Sequence, residues 1–208
     1  MKSTRVYLIR HGQVVGFEQL RFNGWTDVDL TDIGRAQLDA VAEDLSRVEL
    51  AAVYSSDLKR ARYGGEALAK TRKLELKVEP AFRELFFGDW EGLNFKEVDE
   101  LFPGAMEGRM RDIVNYRPPN GETVGELHER VGAGLRKAVA ENQGQALAVV
   151  AHSAANRAML LQAMGCPPDL IWRLDQSFGC LNIVDFFLDG FTVIRQVNGS
   201  NRVGGPFF

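Results

Sequence analysis

Cysteine is nearly absent. Cys166 and Cys180 are the only two among 208 residues, and they are not spaced as a CxxC pair. Two such thiols build no disulfide framework and read as reduced structural residues. Histidine is as scarce, with only His11, His128 and His152. None lies in an HExxH or paired Cys/His spacing, so no metal site is expected. Positive charge is not in excess either. The formal net charge is -3, which gives no general attraction to nucleic acid or to an anionic membrane. Any phosphate binding must therefore come from local basic residues. No apolar run reaches the roughly 18 residues of a membrane-spanning helix. The chain enters a strand pattern at residue 5, where a signal peptide would carry its apolar core. These absences lead us to expect a cytoplasmic protein with no nucleic-acid or membrane partner. They leave a homodimer open.

What is present is an apolar framework. The chain is 45% hydrophobic, enough for one substantial core, and a single domain over 1–208 is expected. Strand-like runs at 5–10, 51–55, 74–78 and 146–151 alternate with helical periodicity. Thr31 is placed to cap a helix carrying Leu38, Val41, Ala42 and Leu45. Ser56 or Asp57 is placed to cap a second helix that runs to about residue 72. Further helices are expected at 123–142 and 154–164. Two alternating runs, 181–188 and 191–197, flank Asp189-Gly190 as a hairpin. The β-α-β-α order predicts an α/β fold. It is a three-layer α/β/α sandwich with a mostly parallel central sheet and an antiparallel edge strand. Residues 82–119 break the pattern, being rich in Gly, Pro and aromatics, with short helices near 94–101 and 106–115. So long an irregular segment reads as a substrate lid or wall.

Two of the three histidines close strand-like runs. Arg10-His11-Gly12 ends the first and His152-Ser153 ends the run at 146–151. Ends of parallel strands open onto a crevice. Arg60 falls on the first turns of the helix after Ser55-Ser56-Asp57. One cavity would then gather Arg10, Arg60, His11, His152 and helix N-termini. Guanidinium forks match phosphate oxygens, and helix N-termini add oriented N–H donors. Gly12 lets the backbone approach closely. His11 can attack phosphorus through a ring nitrogen. Glu84 can protonate the leaving oxygen and then deprotonate water. Other residues have blander readings. His128 reads as a solvated helix residue and Arg83 as mainly structural. Arg157 reads as a support behind the pocket. Asn23 divides between turn chemistry and a phosphate contact. Of Phe82, Phe86, Phe87, Trp90 and Phe95, most read as core and one or two as facing substrate.

These pieces together resemble the histidine phosphatase superfamily, the phosphoglycerate mutase-like family. They are Arg10-His11-Gly12, Arg21-Phe22-Asn23-Gly24-Trp25-Thr26-Asp27, Leu30-Thr31-Asp32-Ile33-Gly34-Arg35-Ala36-Gln37 and Ser55-Ser56-Asp57-Leu58-Lys59-Arg60-Ala61. Arg83-Glu84, Gly88-Asp89-Trp90-Glu91-Gly92, Gly121-Glu122-Thr123 and Val149-Val150-Ala151-His152-Ser153 follow in family order. The resemblance implies a phosphohistidine on His11 and Glu84 as proton donor. Arg10, Arg60 and His152 would complete the phosphate pocket. Gly12, Asn23, Gly24, Arg83 and Ser153 would contact substrate. It also implies metal-independent hydrolysis of a small phosphomonoester without a cofactor. Four departures read as tuning of specificity: Gln13 for Glu, Phe17 for Asn, Gly64-Gly65 for Thr-Ala, and Ser153-Ala154 for Gly-Gly. Only 36 residues separate Glu84 from Gly121, too few for the insertion that mutases of the family carry, which favours the phosphatase branch. Gly24-Trp25-Thr26-Asp27-Val28-Asp29-Leu30 and the segment 175–182 resemble α-ribazole phosphatases of cobalamin biosynthesis, and the aromatic segment would suit such a leaving group. That activity, a phosphoglycerate mutase and a non-catalytic phosphate-binding module are the alternatives.

Overall fold

A computed structural model describes residues 2–199. Residues 1 and 200–208 of the expected single domain lie outside the described residues. Six strands form one sheet: β1 (Ser3–Arg10), β2 (Ala52–Ser55), β3 (Leu76–Val78), β4 (Ala146–Ala151), β5 (Leu181–Phe187) and β6 (Thr192–Gly199), in the order β3-β2-β4-β1-β5-β6. β1, β2, β3 and β4 run parallel, with Leu8 opposite Val149 and Arg10 opposite Ala151. β5 runs antiparallel to β1 and to β6. The antiparallel edge is thus the β5–β6 hairpin, turned at Gly190 with φ +86°.

The apolar runs are explained by cover on both sheet faces. Val6, Leu8, Leu147 and Val149 pack on one side, against α5 (Val124–Glu141) and α6 (Ser153–Met164). Tyr7, Ile9, Ala148 and Val150 pack on the other, against α1 (Asp32–Asp44) and α2 (Lys59–Arg72). Thr31 caps α1 by accepting from the Gly34 amide, and Thr123 forms a capping box with Glu126 at α5. Gly64 and Gly65 sacrifice roughly 1 kcal/mol each of helix propensity. In return α2 lies close to its neighbours. A Cβ at Gly64 would stand 2.9 Å from Leu38 Cδ2, and one at Gly65 would stand 2.8 Å from Leu76 Cδ1.

The start of α2 differs from expectation. Neither Ser56 nor Asp57 caps it. Leu58 occupies the cap position without a side-chain bond. Asp27, in the loop after β1, accepts from the Lys59 amide at 2.8 Å instead. The two expected caps are engaged elsewhere, Ser56 by His152 and Asp57 by Arg83. In the 82–119 segment, α3 (Phe95–Leu101) begins with an Asn94–Glu97 capping box, and α4 (Ala105–Arg111) is shorter than expected. Phe82, Leu85 and Trp90 fasten this segment to the α5/α6 core. Among the described residues, no helix is long and apolar enough to cross a membrane.

Candidate active site

His11 and His152 each leave the end of a strand. The His11 amide donates to the Ala151 carbonyl and the His11 carbonyl accepts from Gly179, both at 3.0 Å. This ties β1 to β4 and to the loop before β5. His152 precedes the first turn of α6. The two imidazole centroids lie 5.2 Å apart, and both side chains are buried. His11 lines a cavity of about 280 Å³ together with Arg10, Arg60 and Glu84, whereas His152 packs against His11 and is not in the lining.

The backbone selects the His11 tautomer. Nδ1 lies 2.8 Å from the Gly12 carbonyl oxygen. A carbonyl only accepts, so Nδ1 carries the proton and Nε2 keeps a free lone pair. Burial, then Arg60, then Arg10 hold the His11 pKa well below its ordinary value, against the opposing bond to Gly12. Gly12 is needed for this turn. A Cβ there would stand 2.0 Å from the Gly34 carbonyl oxygen. Nitrogen-detected NMR at pH 6.5 is expected to show a neutral His11 with Nδ1 protonated, and a doubly protonated ring would refute this. Stability follows the same sign. The unfolded chain takes up protons below about pH 6.5 that folded His11 and His152 refuse, so stability falls as pH drops through that value.

His152 is likewise held neutral, by burial first and then by Arg60, His11 and Arg10. Its Nε2 lies 2.7 Å from Ser56 Oγ. Its Nδ1 is buried without a hydrogen-bond partner, as is Arg10 Nε. Arg10 donates through Nη1 to the Gln176 carbonyl at 2.5 Å and stacks on Phe178 at 4.0 Å. Burial lowers its pKa to about 10. Arg60 is held by three carbonyls. Nη1 donates to Thr26, and Nη2 to Asn23 and Gly24, at 2.6–3.0 Å. Burial lowers its pKa too. Glu84 accepts from the Leu85 amide at 2.9 Å and from the Ala154 amide at 3.1 and 3.2 Å. The N-terminus of α6 thus fixes this carboxylate against the cavity.

The remaining expected residues divide. Asn23 lines the cavity and lends its carbonyl to Arg60. Gly12 and Gly24 act through the backbone, as the acceptors for His11 and Arg60. Arg83 does not line the cavity. It pairs with Asp57 and stacks on Trp25 at 4.5 Å. Ser153 also lies outside the lining, where its hydroxyl accepts from Arg157, and Arg157 supports the pocket from behind by also bonding the Leu174 carbonyl. His128, on α5, is remote from the lining. Sequence reasoning missed four supports. Ser56 meets His152, and Phe178 lies under Arg10. Glu91 accepts from the Trp25 and Thr26 amides. Arg130 donates to the carbonyls of Arg83 and Glu84. Ser56 and Glu91 lay in quoted motifs and Phe178 in the segment 175–182, whereas Arg130 lay outside them all. Among the described residues, no group of three or more His, Cys, Asp or Glu forms a metal-ligand set.

Two adjacent parallel strands that end in two neutral imidazoles close to two guanidiniums give the layout of an α/β protein suited to a phosphoryl group. The sequence profile of the histidine phosphatase superfamily (branch 1) matches residues 6–199, and the chain belongs to this superfamily. It is 33% identical over 196 residues to the bifunctional protein Rv2228c of Mycobacterium tuberculosis. That alignment covers 94% of this chain and 54% of the relative, so the chain spans about half the relative's length. It is 31% identical to a glucosyl-3-phosphoglycerate phosphatase of Mycolicibacterium vanbaalenii, over 81% of this chain and 78% of the relative. Among solved structures, the α-ribazole phosphatase from Shigella flexneri superimposes with a TM-score of 0.87 at 24% identity, covering 98% of this chain and 100% of that one. At that identity the likeness concerns the fold.

Proposed function

We propose that this chain is a phosphomonoester hydrolase that works without a metal, through a phosphohistidine on His11. One observation carries the reading: a buried, neutral imidazole whose Nδ1–H is tied to Gly12 and whose Nε2 is left as a lone pair beside Arg10 and Arg60. A phosphoryl group would be held by the two guanidiniums. Arg10 Nε and His152 Nδ1, both buried without a protein partner, are suited to its oxygens. His11 Nε2 attacks phosphorus, and the P–O bond to the leaving group breaks. Glu84 delivers a proton to that oxygen. Water then attacks the phosphohistidine, Glu84 takes its proton, and the N–P bond breaks to free inorganic phosphate and restore His11.

The substrate in this reading is a small phosphorylated metabolite rather than nucleic acid or membrane, consistent with the net charge of -3. A single domain, a cytoplasmic setting and a homodimer belong to the same proposal. An α-ribazole-5'-phosphate phosphatase is the second reading, supported by the aromatic lining of the cavity. The test is phosphate release from a panel of phosphomonoesters in EDTA. Release is expected, and none from any ester by the folded protein would overturn the proposal. Arg60→Lys, which keeps the charge but loses the fork, is expected to weaken inhibition by inorganic phosphate about tenfold. Unchanged inhibition would remove Arg60 from the phosphate site.

A further inference from the structure

We infer that the ester accepted by this site has an uncharged, apolar leaving group, and that a carboxylate on the leaving group is disfavoured. The inference rests on the phosphomonoesterase reading. Beyond the phosphate end, the cavity wall is made by Phe17, Leu20, Phe22, Phe87, Phe95 and Phe178. The rings form continuous surfaces. Phe22 lies 4.8 Å from Phe87 and 4.9 Å from Phe95, and Phe178 meets Phe17 edge-on at 6.2 Å.

The rim gives the second observation. Leu20 is 67% exposed and Phe95 is 51% exposed. Leu20 also sits in the left-handed region, with φ 49° and ψ 44°. A bulky side chain in that region is strained. An exposed leucine held there gains little from folding, whereas a ligand seated on it would bury apolar surface.

Charge gives the third. Apart from Arg10 and Arg60 at the phosphate end, Arg21 is the one cation among the described lining residues. It is occupied by Glu97 at 2.9 Å, by the Gly92 carbonyl and by Gln19. Arg109 is buried behind one ring of this wall and does not line the cavity. It packs against Phe87, Trp90 and Trp172, with its guanidinium 5.4, 5.9 and 5.8 Å from the ring centroids. A carboxylate entering the outer cavity would lose hydration and meet negative ring faces, with no cation free to pair with it.

The test compares benzyl phosphate with O-phosphoserine, 3-phosphoglycerate and glycerol 1-phosphate, in EDTA. All four release an alkyl oxygen, so the chemical step is of one kind. The kcat/KM for benzyl phosphate is expected to exceed that of both carboxylate esters at least about tenfold. Leu20→Gly relieves the backbone strain, and Phe95→Ser trims an exposed ring, so both are expected to fold. Each should lower kcat/KM for benzyl phosphate several-fold more than that for glycerol 1-phosphate. Equal or faster turnover of the carboxylate esters, or equal losses on both neutral esters in the variants, would overturn this inference alone. Hydrolysis of none of the four would overturn the phosphomonoesterase reading and this inference with it.

Discussion

His11→Ala is expected to lower kcat by at least about 10⁴-fold, the scale on which loss of a covalent nucleophile is felt. The fold should persist. Arg10 and Arg60 are anchored by the carbonyls of Gln176, Asn23, Gly24 and Thr26, not by His11. The variant should therefore still bind inorganic phosphate, and its circular dichroism should match wild type. A loss under about tenfold would mean that a nucleophile other than His11 serves the reaction.

Glu84→Gln is expected to separate substrates by leaving group. An alkyl phosphate needs a proton on its departing oxygen, and loss of a general acid typically costs about 10²–10⁴-fold. A p-nitrophenyl ester departs as a stable anion and should lose far less in the phosphorylation step. Gln is nearly isosteric with Glu, and its amide oxygen can still accept from the Ala154 amide that holds Glu84. Misplacement of the side chain is thereby minimised. Rapid-mixing measurement of phosphorylation with both esters decides the matter, and equal losses would remove Glu84 as the acid.

The framework was legible because it follows from local pattern. Strands buried on both faces read as unbroken apolar runs, and Thr31 announces a helix through its own side chain. The two histidines and Arg60 were legible from their places at strand and helix ends. What could not be read depends on partners distant in the chain. Ser56 looked like a helix cap, yet its hydroxyl meets His152, 96 residues away. Asp27 caps α2 across 32 residues. Arg83 and Ser153 adjoin Glu84 and His152 in sequence, but their side chains turn to Asp57 and Arg157. Adjacency in a motif does not fix side-chain direction. Phe178 lies in a loop whose pattern gives no sign that its ring will sit under Arg10.

The most direct measurement is to quench the protein at alkaline pH during turnover of a ³²P-labelled aryl phosphate and map the label. A base-stable, acid-labile phosphoryl group on the peptide carrying His11, absent from His11→Ala, is the predicted result. Turnover without a covalent label, or label carried by His152, would contradict it.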